Sequence, residues 1–378
     1  MRNRKHIVML MANNSSVPYF NWFADRSLAS NEFVFSFIAL HNQKPKMLDE
    51  MEDRGLKCYW VYFDSSHRSI SMLKAIPKLY FLFKKIKPDI VFPNLFDDTL
   101  PALIAAKVAG ITVRHVIKQD TGFHWNYAPK GIKYDRLINK LATHLIAVSS
   151  QAKSFIIDCE KANPEKVFLI PSGLPVDSTT AQSAERKQFL KDKYGLNNKI
   201  IIGSVGRLIH WKGHKIIVET ASLLASKYPD IRFIIAGEGE LKDELLQMAR
   251  EYKVSENFIL AGWVDRNDMP SFFGIMDIYF HSAYPMEPFG YVIAEAMMNG
   301  VQVITTNTGC ATDVMLHKVN GYVVKERTAQ CFAEGIDFIL QNKNLKMGEA
   351  AKKNSIEKLN FETYWAAHTN LFKKSLGI

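Results

Sequence analysis

The sequence predicts an α/β protein built of two Rossmann-like domains. Short runs rich in Val, Ile and Phe alternate with helical patterns along the whole chain, as parallel sheets with crossover helices require. The runs form two series, parted by a passage rich in Pro, Gly, Ser and Thr. A length of 378 residues suits two domains.

Candidate strands of the first series are 7–11, 33–40, 58–62, 90–92, 111–116, 145–148 and 167–170. Residues 1–12 set basic groups before an apolar run and so imitate a signal peptide. The run is too short for that role and two asparagines end it, which favours a first buried strand. Residues 67–87 mix bulky apolar side chains with cations. They read as a helix packed on the first sheet with a solvated Lys face, or as one lying on an anionic leaflet. The stretch after 90–92 reads as a core helix. The linker is expected over 174–199, within a passage opened by Pro171, Gly173 and Pro175. The second series holds 200–205, 232–236, 258–261, 278–281, 301–305 and 321–324, and the tail 361–378 reads as an aromatic-rich helix. The domains are therefore expected at 1–173 and 200–360. Ligands of open α/β sheets bind at the carboxyl ends of strands, so two such domains facing a central cleft would each offer one lip of a site.

Hydrophobic residues make up 47%, enough for sizeable cores. The four cysteines, Cys58, Cys159, Cys310 and Cys331, form no C-x-x-C pair, so neither a zinc ribbon nor a disulfide framework is indicated. A reducing cytoplasm is the simplest compartment, and no stretch approaches the roughly 18 apolar residues of a membrane span. The net charge of +10 is uneven: residues 1–175 carry 24 basic against 15 acidic groups, and the remainder is nearly balanced. That asymmetry suits a polyanionic partner or an anionic membrane surface, with the protein peripheral on its inner face. A solvated surface is the plainer reading.

The chemistry concentrates in the second half. Glu287 and Glu295 lie eight residues apart, whereas neighbours on one helix face fall three or four apart. Pro288 and Gly290 break any helix before Tyr291, so Glu287 belongs to a loop and Glu295 to a short helix capped by Gly300. The N-terminus of that helix can receive a phosphate. Upstream, an apolar strand ends at Gly203. Gly206 then permits close approach, and Arg207 and Lys212 supply two cations. Alone, such a turn reads as a solvated surface turn. Paired with two carboxylates and a helix N-terminus, it describes a site for a phosphate flanked by hydroxyls, as in a nucleotide sugar.

Together these segments resemble the retaining nucleotide-sugar glycosyltransferases of the GT-B fold, specifically the large fourth family. The markers are Gly206-Arg207 with Lys212-Gly213, Ala236-Gly237-Glu238-Gly239, Gly262-Trp263-Val264, Glu287-Pro288-Phe289-Gly290 with Glu295, and Asn320-Gly321. The resemblance implies that Arg207 and Lys212 bind the donor diphosphate, Glu287 the sugar and Glu295 the ribose. Gly206, Gly237, Val264, Phe289 and Gly290 complete the donor site. It also implies retention of configuration, transfer to a glycan or lipid-linked acceptor in cell-envelope polysaccharide synthesis, and no cofactor beyond the donor. The chain has no D-x-D tripeptide, so metal-independent chemistry is expected. The tail of such proteins often crosses back to the first domain.

The first half matches less closely. Relatives carry glycines after the first strand, where this chain has Asn13 and Asn14. Relatives place a functional His in the loop that here follows Thr112. His124 is preferred over His115, with Lys118 and Asp120 as further acceptor-side candidates. Where relatives show Gly-Gly and then Glu, this chain has Gly309, Cys310 and Asp313. Two other readings compete: a GT-B nucleotide-sugar epimerase, and a nucleic-acid binder suggested by the charge. The Arg207/Lys212 and Glu287/Glu295 module speaks against the first. The lack of an interleaved aromatic-basic motif speaks against the second, so no nucleic-acid partner is expected.

Overall fold

The computed structural model describes residues 4–12, 18–119, 122–283 and 287–378. Contacts divide the chain into two compact units, Met1–Ile170 with Trp365–Ile378, and Pro171–Tyr364.

All thirteen predicted strands occur. In the first unit they are β1 (Lys5–Met11), β2 (Phe33–His41), β3 (Lys57–Tyr62), β4 (Ile90–Pro93), β5 (Val113–Lys118), β6 (His144–Ala147) and β7 (Val167–Leu169). They pair in parallel in the order β3-β2-β1-β4-β5-β6-β7. Ile7 to Met11 are fully buried, as the centre of a parallel sheet covered on both faces demands. One face packs Val8, Leu10, Ile38 and Val91 against Ala75, Leu79 and Phe83 of the Arg68–Ile86 helix and Ala102 and Ala106 of the Phe96–Val108 helix. An aromatic cluster packs the final helix, Phe361–Leu376, against this sheet: Trp365 lies 5.8 Å from Phe35, and Phe372 lies 5.7 Å from Phe33 and 5.8 Å from Phe92.

The second unit holds β8 (Ile200–Val205), β9 (Ile231–Ala236), β10 (Phe258–Gly262), β11 (Ile278–His281), β12 (Gln302–Thr305) and β13 (Tyr322–Val323). Their order is β10-β9-β8-β11-β12-β13, again parallel. In both sheets the order reverses beside the first strand, at β1/β4 and at β8/β11, and such switch points are where doubly wound sheets hold ligands.

The stretch expected as a linker is docked on the second unit. It carries helices Val176–Thr179 and Ala184–Lys193. Arg186 forks Asp268 at 2.6 and 2.7 Å, and Gln182 donates to Asn299 Oδ1 at 2.9 Å. Its low hydrophobicity hid an attachment made by polar side chains.

Candidate active site

The turns after β8 and β9 press together. A Cβ on Gly237 would stand 1.9 Å from the Gly206 carbonyl oxygen, and one on Gly239 would stand 2.4 Å from that of Leu208. Only glycine allows this approach. Gly206 is less constrained: a Cβ there would make ordinary contact with the His214 ring at 3.8 Å and the Lys212 side chain at 3.9 Å. Beside these turns opens a cleft of about 270 Å³, lined by the predicted residues Gly206, Arg207, Gly237, Val264 and Glu295. Trp263, Arg266 and Met269 also line it. Buried His214 braces the turn from inside, with Nε2 3.0 Å from the Arg207 carbonyl oxygen. Burial lowers its pKa to about 4, so at neutral pH the ring is uncharged and donates to that carbonyl.

The predicted loop acid and helix acid both occur. The helix runs Tyr291–Met298 from Gly290, whose φ is +77°. Gly300 ends it with a Schellman pair: Gly300 N–H donates to Met297 O, and Val301 N–H to Ala296 O. Glu295 is buried and meets Arg266 Nη1 at 2.6 Å. Burial raises its carboxyl and Arg266 pulls it back, with burial prevailing.

Glu287 is paired with Lys212, Nζ to Oε2 2.5 Å. His281 Nε2 stands 3.8 Å from the same oxygen, within charge range but beyond hydrogen-bond length. Burial alone would raise this carboxyl. Its two basic neighbours outweigh burial and hold it at about 2. The structure thus joins Lys212 and Glu287 directly. Phe289 is almost fully buried: its ring packs on Tyr291 at 4.8 Å, and its carbonyl accepts from Cys310 N–H at 2.6 Å. Its side chain is therefore a strut under the loop. Gly309 has φ +55°, and a Cβ there would meet the Phe289 oxygen at 2.3 Å, so the Gly309-Cys310 turn underlies the same loop.

In the first unit, His124 lies in the short helix Phe123–Tyr127, with Nδ1 2.8 Å from Asp135 Oδ2. Lys118, at the end of β5, is buried with Nζ 2.9 Å from Glu160 Oε2 and 4.0 Å from Asp135 Oδ1. Gly131 abuts the His124 ring, where a Cβ would come within 2.2 Å. His124 and Lys118 are therefore brought together through Asp135. His115 is not with them. It is fully buried under the final helix, 3.1 Å from Ser375 Oγ and 5.4 Å from the Phe372 ring, so its place is in the core and not in the loop. Burial first, then His144 and His368, keep it well below the usual histidine range. Asn13, Asn14 and Asp120 lie outside the described residues.

Sequence reasoning missed Asp135, Glu160 and Arg266. Each acts through a partner distant in the chain, and no local pattern marks it.

Two doubly wound units, one with cations and carboxylates around a cleft at its switch point, define the class as a GT-B glycosyltransferase. Residues 186–357 match the family model described as glycosyl transferases group 1, and residues 26–178 match that of glycosyltransferase family 4. Together the two matches and the glycosyltransferase relatives support a group 1 glycosyltransferase. It is 26% identical over 321 residues to the capsular polysaccharide biosynthesis glycosyltransferase CapM of Staphylococcus aureus, covering 81% of this chain and 82% of that one. It is 27% identical over 303 residues to the UDP-Gal:alpha-D-GlcNAc-diphosphoundecaprenol alpha-1,3-galactosyltransferase of Escherichia coli, 76% of each. Among solved structures, Anabaena Alr3699/HepE in complex with UDP and glucose superposes with a TM-score of 0.83 at 18% identity, over 98% of this chain and 100% of that one.

Proposed function

We propose that the chain transfers a sugar from a nucleotide-diphosphate sugar to a glycan or lipid-linked acceptor of cell-envelope polysaccharide synthesis, with retention and without a metal. One observation carries the donor half of this reading: Arg207, Gly206 and Glu295 share a cleft beside the β8/β11 switch point. The UDP and glucose held by the HepE structure support it, as do the names of the polysaccharide and lipid-linked relatives.

The apolar wall of Val205, Ala236, Val264 and Met269 suits a base. Glu295 accepts from the ribose hydroxyls once Arg266 yields its place. Arg207, Lys212 and the N-terminus of the Tyr291–Met298 helix neutralise the diphosphate, and Glu287 orients the sugar. As the anomeric carbon–oxygen bond to phosphate breaks, the acceptor oxygen bonds to the same face and its proton passes to the leaving diphosphate. Electrostatic stabilisation of this kind is worth ~3–4 kcal/mol per key donor. On the acceptor side, His124 held by Asp135 hydrogen-bonds the incoming hydroxyl.

Arg207→Ala tests the donor half. Its turnover should fall ~10²-fold or more with the fold intact. Near-normal turnover in the folded variant would remove the diphosphate assignment.

A further inference from the structure

The Arg68–Ile86 helix turns Ser71, Ala75, Leu79 and Phe83 into the first unit. Its opposite face is apolar where an ordinary surface helix is polar. Ile70, Leu73 and Phe81 are 54, 72 and 69% exposed, and with exposed Pro77 they follow spacings of three, four and four residues. They therefore form one stripe along the outer surface. Lys74, Lys78 and Lys85 run along one edge of the stripe, and Lys84 continues its line one turn beyond Phe81. The helix contains no Asp or Glu. Among the described residues no ion pair engages these four lysines, unlike Arg68, which meets Asp97 at 2.5 Å. Single exposed apolar residues need no explanation, but a contiguous stripe edged by cations does.

We infer that this face docks on an anionic lipid surface, with Ile70, Leu73 and Phe81 entering the headgroup boundary and Lys74, Lys78, Lys84 and Lys85 pairing with lipid phosphates. The helix lies flat on such a surface, because among the described residues no helix is long and apolar enough to cross a membrane. Charge complementarity selects the occupant. The surplus of cations in residues 1–175 would repel a second copy of this face, while an anionic bilayer satisfies both the lysines and the apolar stripe. The inference uses none of the donor-site assignments, so either can fail without the other.

The test is co-sedimentation of the full chain with vesicles of phosphatidylglycerol and phosphatidylcholine, against vesicles of phosphatidylcholine alone. It is run at about 0.05 M and about 0.5 M salt, across which screening of surface charge changes strongly. The chain should pellet with the anionic vesicles at low salt and be largely released at high salt. Lys78→Gln, Lys84→Gln and Lys85→Gln combined should lower partitioning roughly 100-fold, at about fivefold per cation. Leu73→Ser with Phe81→Ser should lower it about tenfold or more while keeping the salt dependence. These side chains are exposed, so unchanged thermal unfolding serves as the folding control. No pelleting with anionic vesicles, equal pelleting with neutral ones, or an unaffected Leu73→Ser/Phe81→Ser variant would each overturn the inference. So would a dimer that this double variant converts to monomer, since a second copy would then cover the stripe.

Discussion

Replacing Lys212 by alanine removes the ammonium 2.5 Å from Glu287 Oε2 and acts in two separable ways. The first is loss of a cation at the proposed diphosphate position, for which turnover should fall ~10²–10³-fold. The second concerns the carboxylate left behind. In the intact site Glu287 is held at about 2 against an ordinary 4.5, although burial, the largest single influence, pushes it up. Without Lys212, burial opposes only His281, which burial itself keeps towards the neutral form. The carboxyl therefore titrates higher, and the acid limb of turnover moves to higher pH. The wild-type pairing also stabilises the fold. Because the folded value lies below the unfolded one, the contribution is complete above the ordinary carboxyl range and fades as pH falls towards 2. The assay is release of nucleoside diphosphate by wild type and Lys212→Ala between about pH 4 and 8, where the two limbs separate. A folded variant with near-normal turnover, or one with reduced turnover and an unmoved acid limb, would refute this reasoning.

Glu287→Ala should damage turnover while leaving affinity for the free nucleoside diphosphate nearly unchanged, and Glu295→Ala should weaken that affinity directly. Calorimetry on both variants checks this, and a reversed order would count against the assignment. Asp135→Asn should lower turnover by about tenfold or more and shift its pH profile, because the carboxylate that orients His124 and faces Lys118 is gone. An unchanged profile would mean that Asp135 only supports the fold. Activity should survive a chelator, and an α-configured donor should yield an α product. Full loss in EDTA or a β product would each contradict the proposed chemistry.

The strands were legible because central parallel strands are buried on both faces and read as continuous apolar runs, as β1 and β8 do. The Glu287 loop and the Tyr291–Met298 helix were legible because Pro288, Gly290 and Gly300 act locally on the backbone. What could not be read is what depends on contact across the chain. His115 was a loop candidate although it falls within the expected strand 111–116; it stays in β5, and the final helix covers it. Lys118 was an acceptor-side candidate, yet its charge is held by Glu160 and Asp135. Arg266 gave no sequence signal, although it occupies the carboxylate proposed for the ribose. The 174–199 stretch has the composition of a connector and is fastened by Arg186–Asp268 and Gln182–Asn299.

The central claim is that the cleft beside Arg207 and Glu295 binds a nucleotide-diphosphate sugar and cleaves its glycosyl–phosphate bond. The most direct measurement incubates the purified chain, without acceptor, with a panel of nucleotide sugars and follows the products by mass spectrometry. At least one donor should be slowly converted to free nucleoside diphosphate and sugar, and Arg207→Ala should abolish that conversion. A panel left wholly intact, or a donor returned with its sugar epimerised and its diphosphate linkage unbroken, would contradict the account.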